Sequence, residues 1–237
     1  MTHNPSATAK AEAALPRDGS QPTTGDLKMQ ASSVVFDSTA AEGVISDCTA
    51  PVYDWKNLKG PIAVKNTGPT APQWTQVQGN DYDYGFTTND ECWFHYHLNH
   101  DWAGRDCFIH FHWTHNGTAI TGPMVLTHHI TYAKGHRQTV FPAEITVVQT
   151  VTIANIAAYP RYGHFTDEIQ LSAAGGAGGL LDTALLEIDG IIKVHTVMTT
   201  LPTITGGGTA RVLAITEDVH YQTNNRGSKN KSPPFHS

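Results

Sequence analysis

The sequence predicts an all-β protein: a β-sandwich or jelly roll of about eight or nine strands with extended N- and C-terminal arms. Three observations carry that expectation. Apolar and polar residues alternate with period two through most of the chain from residue 92 onward, with β-branched and aromatic side chains prominent among the apolar ones. Clusters of Gly, Pro, Asn and Asp separate these runs at the spacing of short antiparallel strands. Outside the first residues nothing sustains a helical period, and no internal repeat is visible.

Composition divides the 237 residues into three parts. Residues 1–45 are rich in Ala, Ser, Thr, Pro and Gly, with one weak helical patch from Ala7 to Leu15. With so little to bury they form an arm, flexible alone or ordered on assembly against a neighbouring subunit. Residues 46–222 form the sandwich domain, and 223–237 a tail with a small basic cluster, expected either to fray or to dock.

Within the domain, aromatic text begins at Tyr53 and Trp55 and continues through Leu58, Ile62, Val64, Trp74, Val77, Tyr82, Tyr84 and Phe86. Met124, Leu126, His128, Ile130 and Tyr132 then alternate, as do Ile145, Val147, Gln149, Val151 and Ile153. Later strands are expected at Glu168–Leu171, Leu185–Ile188, Ile191–Met198 and Arg211–His220, interrupted by glycine-rich loops at 173–179 and 206–208. No Gly-Lys-Ser/Thr follows those glycines, so they are not phosphate loops.

The densest chemistry lies between Cys92 and His115, where six histidines crowd into 24 residues. Phe94, Tyr96 and Leu98 share one strand face, and Trp93, His95 and His97 the other. Ile109, Phe111 and Trp113 likewise oppose His110, His112 and Thr114. A hairpin turning near Ala103-Gly104 would set His97 beside His110 and His95 beside His112. A slip of one residue would undo that juxtaposition. Neutral imidazoles in such a group bind transition metals, so His95, His97, His110 and His112 are the metal candidates. The plainer alternative is a half-buried sheet whose histidines bond one another, Asp101, Asp106 or water. Spacing after each His-x-His pair only thinly resembles the metal motif of cupin-like enzymes.

No catalytic constellation appears. A nucleophile elbow is absent, and the pairs Asp90-Glu91, Asp167-Glu168 and Glu217-Asp218 are sequence neighbours that point to opposite strand faces. The chain is therefore expected to be no enzyme, with no catalytic residues and no cofactor beyond the metal alternative. A formal charge of -6 gives no electrostatic case for nucleic-acid binding. Nothing approaches the roughly 20 apolar residues of a membrane helix, and the first residues do not read as a signal peptide. Cys48, Cys92 and Cys107 lack metal-site spacing and are expected to be free, mostly buried thiols of a reducing cytoplasm. Asn116-Gly117 marks a turn. Trp55, Trp74 and Trp102 are candidates for a glycan-binding surface, against the commoner role of tryptophan in a core.

Taken in order, Asp54-Trp-Lys-Asn-Leu58, Pro61-Ile62, Pro72-Gln-Trp-Thr75, Tyr82 to Phe86, His100-Asp101, Ile109-His-Phe-His-Trp113, Ile130-Thr-Tyr132, Asp218-Val-His-Tyr221 and Gly227 to Phe235 resemble a group of structural proteins of tailed bacteriophages. The motifs H-x-H-W and D-x-H-Y are its most specific elements, and residues 1–45 have no counterpart in it. The resemblance implies a non-enzymatic virion subunit, a head decoration or cement protein or else a tail or tail-fibre component. It further implies assembly in the host bacterial cytoplasm, self-association as a homotrimer or other closed ring, and partnership with the major capsid protein or tail proteins. It assigns the histidines no metal.

Overall fold

The computed structural model describes residues 53–65, 68–172, 180–181, 186–223, 228 and 231–233. The N-terminal arm, Cys48, most of the C-terminal tail and the glycine run at 173–179 lie outside the described residues. No helix among the described residues is long and apolar enough to cross a membrane. The one helical element among the described residues is a single 3₁₀ turn at Ile156–Ala158, capped by the Asn155 side chain.

The domain is a β-sandwich of two antiparallel sheets. Its strands are β1 (Asp54–Gly60), β2 (Ala63–Val64), β3 (Gln73–Gln78), β4 (Asp81–Phe86), β5 (Glu91–His97) and β6 (Trp102–His115), followed by β7 (Ala119–Ala133), β8 (Ile145–Ile153), β9 (Phe165–Ser172), β10 (Ile191–Thr200), β11 (Thr203–Thr205) and β12 (Val212–Thr223). In the first sheet β12 is central. β6 runs along one side of it with β9 beyond, while β4 and β1 pair with successive stretches of its other side and β3 follows β4. In the second sheet β8, β7, β10, β5 and β2 lie side by side, and β11 extends the β10 side of β7.

The twelve strands among the described residues exceed the eight or nine expected, because the aromatic text before residue 92 resolves into four strands and because short β11 continues β10 past a bulge. The strand expected at Leu185–Ile188 does not form over its described residues. Leu186 and Ile188 are buried, but their segment is a turn in which Gly190 N–H donates to Glu187 O, with Asp189 at φ 66. The side chain of Tyr132 packs against Gly190 so closely that a Cβ there would meet its hydroxyl at 2.4 Å and its ring at 2.5 Å, which fixes glycine where the chain re-enters the sheet at β10.

The core fills the space between the sheets. Phe111, Trp113, Tyr221, Val219 and Ile109 project from the first sheet and Phe94, Tyr96, Met124, Leu126, Ile130, Ile192 and Val194 from the second, all nearly inaccessible to solvent. Free Cys92 and Cys107 belong to it as small apolar groups, and burial pushes the Cys107 thiol up to about 12. One polar chain crosses the core. Tyr96 Oη donates to Glu217 Oε1 at 2.9 Å, and the Thr196 hydroxyl, beside the same carboxyl, lies 2.9 Å from His128 Nδ1. His128 Nε2 meets Gln149 Oε1 at 3.2 Å, and Gln149 Nε2 donates to the Glu168 carbonyl. That arrangement makes Nε2 the protonated nitrogen of a neutral His128.

Candidate functional site

Strand parity follows the sequence, but strand pairing does not. Period two holds in β5 and β6: Phe94, Tyr96, Ile109, Phe111 and Trp113 are buried, while His95 and His97 are exposed and His110 and His112 lie on the outer face. The expected hairpin is absent. β5 pairs with β10 and β2 in the second sheet, and β6 with β12 and β9 in the first. The chain crosses between sheets at Leu98–Asp101, where Leu98 N–H donates to Gly190 O and Trp102 N–H closes a turn on Asn99 O. Gly104, at φ 68, lies inside β6 and makes no hairpin turn. The four proposed metal ligands are thus split between opposite outer faces of the sandwich, and His95 and His97 join no common site with His110 and His112.

The physical reason is symmetric burial. Both strands carry an apolar face, and two such faces are removed from water equally well side by side in one sheet or opposed across a sandwich. Alternation cannot distinguish the two.

What His110 and His112 meet comes from β12 and β9. Asp218 is the register partner of His110 on β12, and Glu168 and Thr166 are the partners of His110 and His112 on β9. His110 Nε2 lies 2.8 Å from Glu168 Oε2, while its Nδ1 faces Asp218 Oδ1 at 3.6 Å. His112 Nε2 lies 3.0 Å from Asp218 Oδ2, and its Nδ1 meets His164 Nε2 at 2.8 Å and Thr166 Oγ1 at 3.1 Å. The Asp218 side chain is 3 % exposed, and its Oδ1 has no hydrogen-bond partner. Burial, offset in part by Asp218, holds His112 below the ordinary imidazole range, with His164 and His110 adding to the depression. His220 sits edge-on to His110 and is lowered by burial and by His110. Trp55 packs on the far side of His220.

The acidic neighbours divide as strand geometry requires. Glu217 turns inward to Tyr96 and Asp218 outward to the histidines; Asp167 turns inward, accepting from Trp113 Nε1 at 2.5 Å, and Glu168 outward. Asp218, Glu168 and His164 were not foreseen as site residues, although D-x-H-Y puts Asp218 and His220 on one strand face.

A second imidazole group forms around Asp189, which His97 Nε2 approaches at 2.5 Å, with His136 on the other oxygen and His100 Nε2 at 3.7 Å. Burial tends to raise the Asp189 carboxyl, but the His97 hydrogen bond and the three nearby imidazoles outweigh it and hold the group low. Asp101, expected as a histidine partner, instead binds Lys56 at 2.6 Å and Tyr221 Oη at 3.0 Å.

Of the tryptophans offered as a glycan surface, Trp102 is core, whereas Trp55 and Trp74 are exposed. Trp74 stacks near-parallel to Tyr82 at 6.3 Å and borders a cleft of about 450 Å³ whose polar lining includes Gln76, Asn116, Arg161 and Arg211. Asn116 braces that cleft, donating to the carbonyls of Gln76 and Thr209 and accepting from Arg211 N–H. The Asn-Gly turn is therefore a corner between sheets.

No protein-family model and no curated protein matches the sequence. Among solved structures the chain is similar to the Clostridium thermocellum family 11 carbohydrate-binding module in complex with a β-1,3-1,4-mixed-linked tetrasaccharide. The identity is 16 %, with 75 % of this chain and 91 % of that one covered, at a TM-score of 0.25. It is also similar to the carbohydrate-binding module TmCBM61 in complex with β-1,4-galactotriose, at 11 % identity, 72 % and 84 % coverage and a TM-score of 0.21.

Proposed function

We propose that this chain is a non-enzymatic structural protein of a tailed-bacteriophage virion, a head decoration subunit that self-associates and stabilises the capsid through subunit contacts. One observation supports the reading above the others. The two most specific segments of the phage-protein resemblance, His110-Phe-His-Trp113 in β6 and Asp218-Val-His-Tyr221 in β12, lie on neighbouring antiparallel strands and meet at one register pair, His110 opposite Asp218. Their side chains form one unit, with His110 and His112 on Asp218, and His220 on His110. Segments more than 100 residues apart that match together and pack together behave as one structural element. Among the described residues β8 and β9 are each paired on one side only, and Val148 on β8 is 64 % exposed, which suits a subunit whose edges are covered by neighbours.

The purified full chain is expected to run in light scattering at a multiple of its 25.7 kDa mass, as a trimer or another closed ring. It should also co-sediment with heads of the phage that encodes it, whereas a chain lacking residues 1–45 should fold but stay in the supernatant. A monomer at micromolar concentration that never enters particles would refute the proposal.

Oligosaccharide binding is a second reading, favoured by the exposed Trp74 platform beside a cleft of amide and guanidinium groups. Replacing Trp74 with alanine should then weaken an array-identified glycan at least tenfold, by roughly the 1.4 kcal/mol of one lost stacking contact. A silent array ends this reading.

A further inference from the structure

We infer that His110, His112 and Asp218 form a binding site for one divalent transition-metal ion of the zinc class. The inference goes beyond the virion role and does not depend on it.

One ligand atom from each of the three residues lies within 4.8 Å of the other two. The individual separations are closer to what an ion requires. His112 Nε2 to Asp218 Oδ2 is 3.0 Å and His110 Nδ1 to Asp218 Oδ1 is 3.6 Å. Donor atoms held tetrahedrally at zinc distances stand about 3.4 Å apart.

The hydrogen bonding points the same way. Glu168 accepts from His110 Nε2, which places the proton on that nitrogen and leaves Nδ1 as a lone pair. This lone pair faces Asp218 Oδ1, a buried carboxylate oxygen with no hydrogen-bond partner. Two acceptors facing each other at 3.6 Å, one of them desolvated, repel unless a proton or a metal cation lies between them.

The remote nitrogens have the partners that metal-binding histidines require. A ligating imidazole usually donates its other N–H to a carboxylate, carbonyl or hydroxyl, which fixes ring orientation and raises basicity. Glu168 does this for His110, and Thr166 Oγ1 with His164 Nε2 can do it for His112. The ligands sit on β6 and β12, neighbouring strands of one sheet, so their spacing is set by backbone pairing. Two imidazoles and one carboxylate suit an ion of borderline softness better than calcium or magnesium, which take oxygen donors. They also leave a coordination position for water or for a group from another subunit.

The test uses the full chain, purified without a metal-affinity step, stripped with chelator and titrated with Zn²⁺ against a chromophoric competitor. One Zn²⁺ per chain is expected. His112→Gln and Asp218→Asn should each weaken it at least 100-fold, and Glu168→Gln about tenfold, in line with lost outer-shell support. His95→Ala, on the other sheet, should bind as the parent does. Co²⁺ should give a visible d–d band that His112→Gln loses. Should Asp218→Asn fail to fold, His110→Gln takes its place. A parent that takes up no stoichiometric Zn²⁺ at micromolar concentration overturns the site, as do folded variants that bind like the parent or an equal loss in His95→Ala.

Discussion

Replacing Trp113 with alanine is expected to destabilise the domain by about 4 kcal/mol, within the range for removing a fully buried aromatic side chain. The indole is wholly inaccessible and packs on Phe165 at 4.7 Å and Tyr159 at 5.9 Å, so the cavity would open where β6, β9 and the 3₁₀ turn meet. A second loss adds to the first. Asp167 faces inward on β9, and burial raises its carboxyl above the usual range, opposed by the Trp113 Nε1 hydrogen bond. Without that donor a partly buried carboxylate stands alone, which costs roughly 1–3 kcal/mol. Trp113→Phe separates the two contributions, because it keeps most of the volume and loses only the donor. Urea unfolding followed by circular dichroism should show a loss of roughly 1–2 kcal/mol for phenylalanine and at least twice that for alanine. For a domain of this size the alanine variant should melt roughly 8–16 °C lower. A loss below about 1 kcal/mol for alanine would mean that this corner is less tightly packed than the structure shows.

Trp113 also marks how far the fold was legible in sequence. Its strand face was readable because a β-strand has an exact period of two, and a residue flanked by Phe111 and Ile109 at that spacing must share their burial. The same logic placed Met124, Leu126, His128, Ile130 and Tyr132 together, and all five are buried, the histidine included. Pairing obeys no comparable rule. Consecutive strands β5 and β6 carry matching apolar faces, and nothing local says whether those faces lie side by side or across the core. The histidine hairpin failed for that reason, and with it the four-imidazole site. Half of that site survives. His110 and His112 remain neighbours because they share a strand, but their other contacts come from Asp218 and Glu168, more than 50 residues away in sequence. Glu217-Asp218 and Asp167-Glu168 were recognisable as residues with opposed faces; that the two outward members converge on one pair of histidines follows only from the order β12-β6-β9. At Leu186 and Ile188 alternation misled in the opposite direction, because two buried apolar residues in a tight turn have the same spacing as two in a strand.

The polar chain through the core leads to the second large effect, a loss of stability as pH rises from about 6.5 to 8 that Glu217→Gln abolishes. Burial raises the Glu217 carboxyl to about 8, even though the Tyr96 hydrogen bond opposes the shift. In the unfolded chain the same group titrates near 4.5. Between those values unfolding releases a proton, so rising pH favours the unfolded state. His128 works in the opposite sense. Burial lowers it to about 4 from 6.5, so between those values unfolding takes up a proton and falling pH favours unfolding. From about 4.5 to 6.5 the two linkages offset each other, and above 6.5 Glu217 acts alone. The remaining 1.5 pH units of its window correspond to about 2 kcal/mol. Other shifted groups leave this window clear: Asp83 is raised to about 6, Glu91 is lowered to about 2, and Asp189, His112 and His220 are lowered as well. Urea midpoints of chelator-treated protein at pH 6.5, 7.25 and 8 should therefore fall for the parent and stay level for Glu217→Gln. The variant should in addition expose the acid limb of His128, losing roughly 3 kcal/mol between pH 6.5 and 4 that the parent largely conceals down to about 4.5. A parent profile flat to pH 8 would mean that Glu217 is ionised in the fold, with water or a cation beside its buried oxygens.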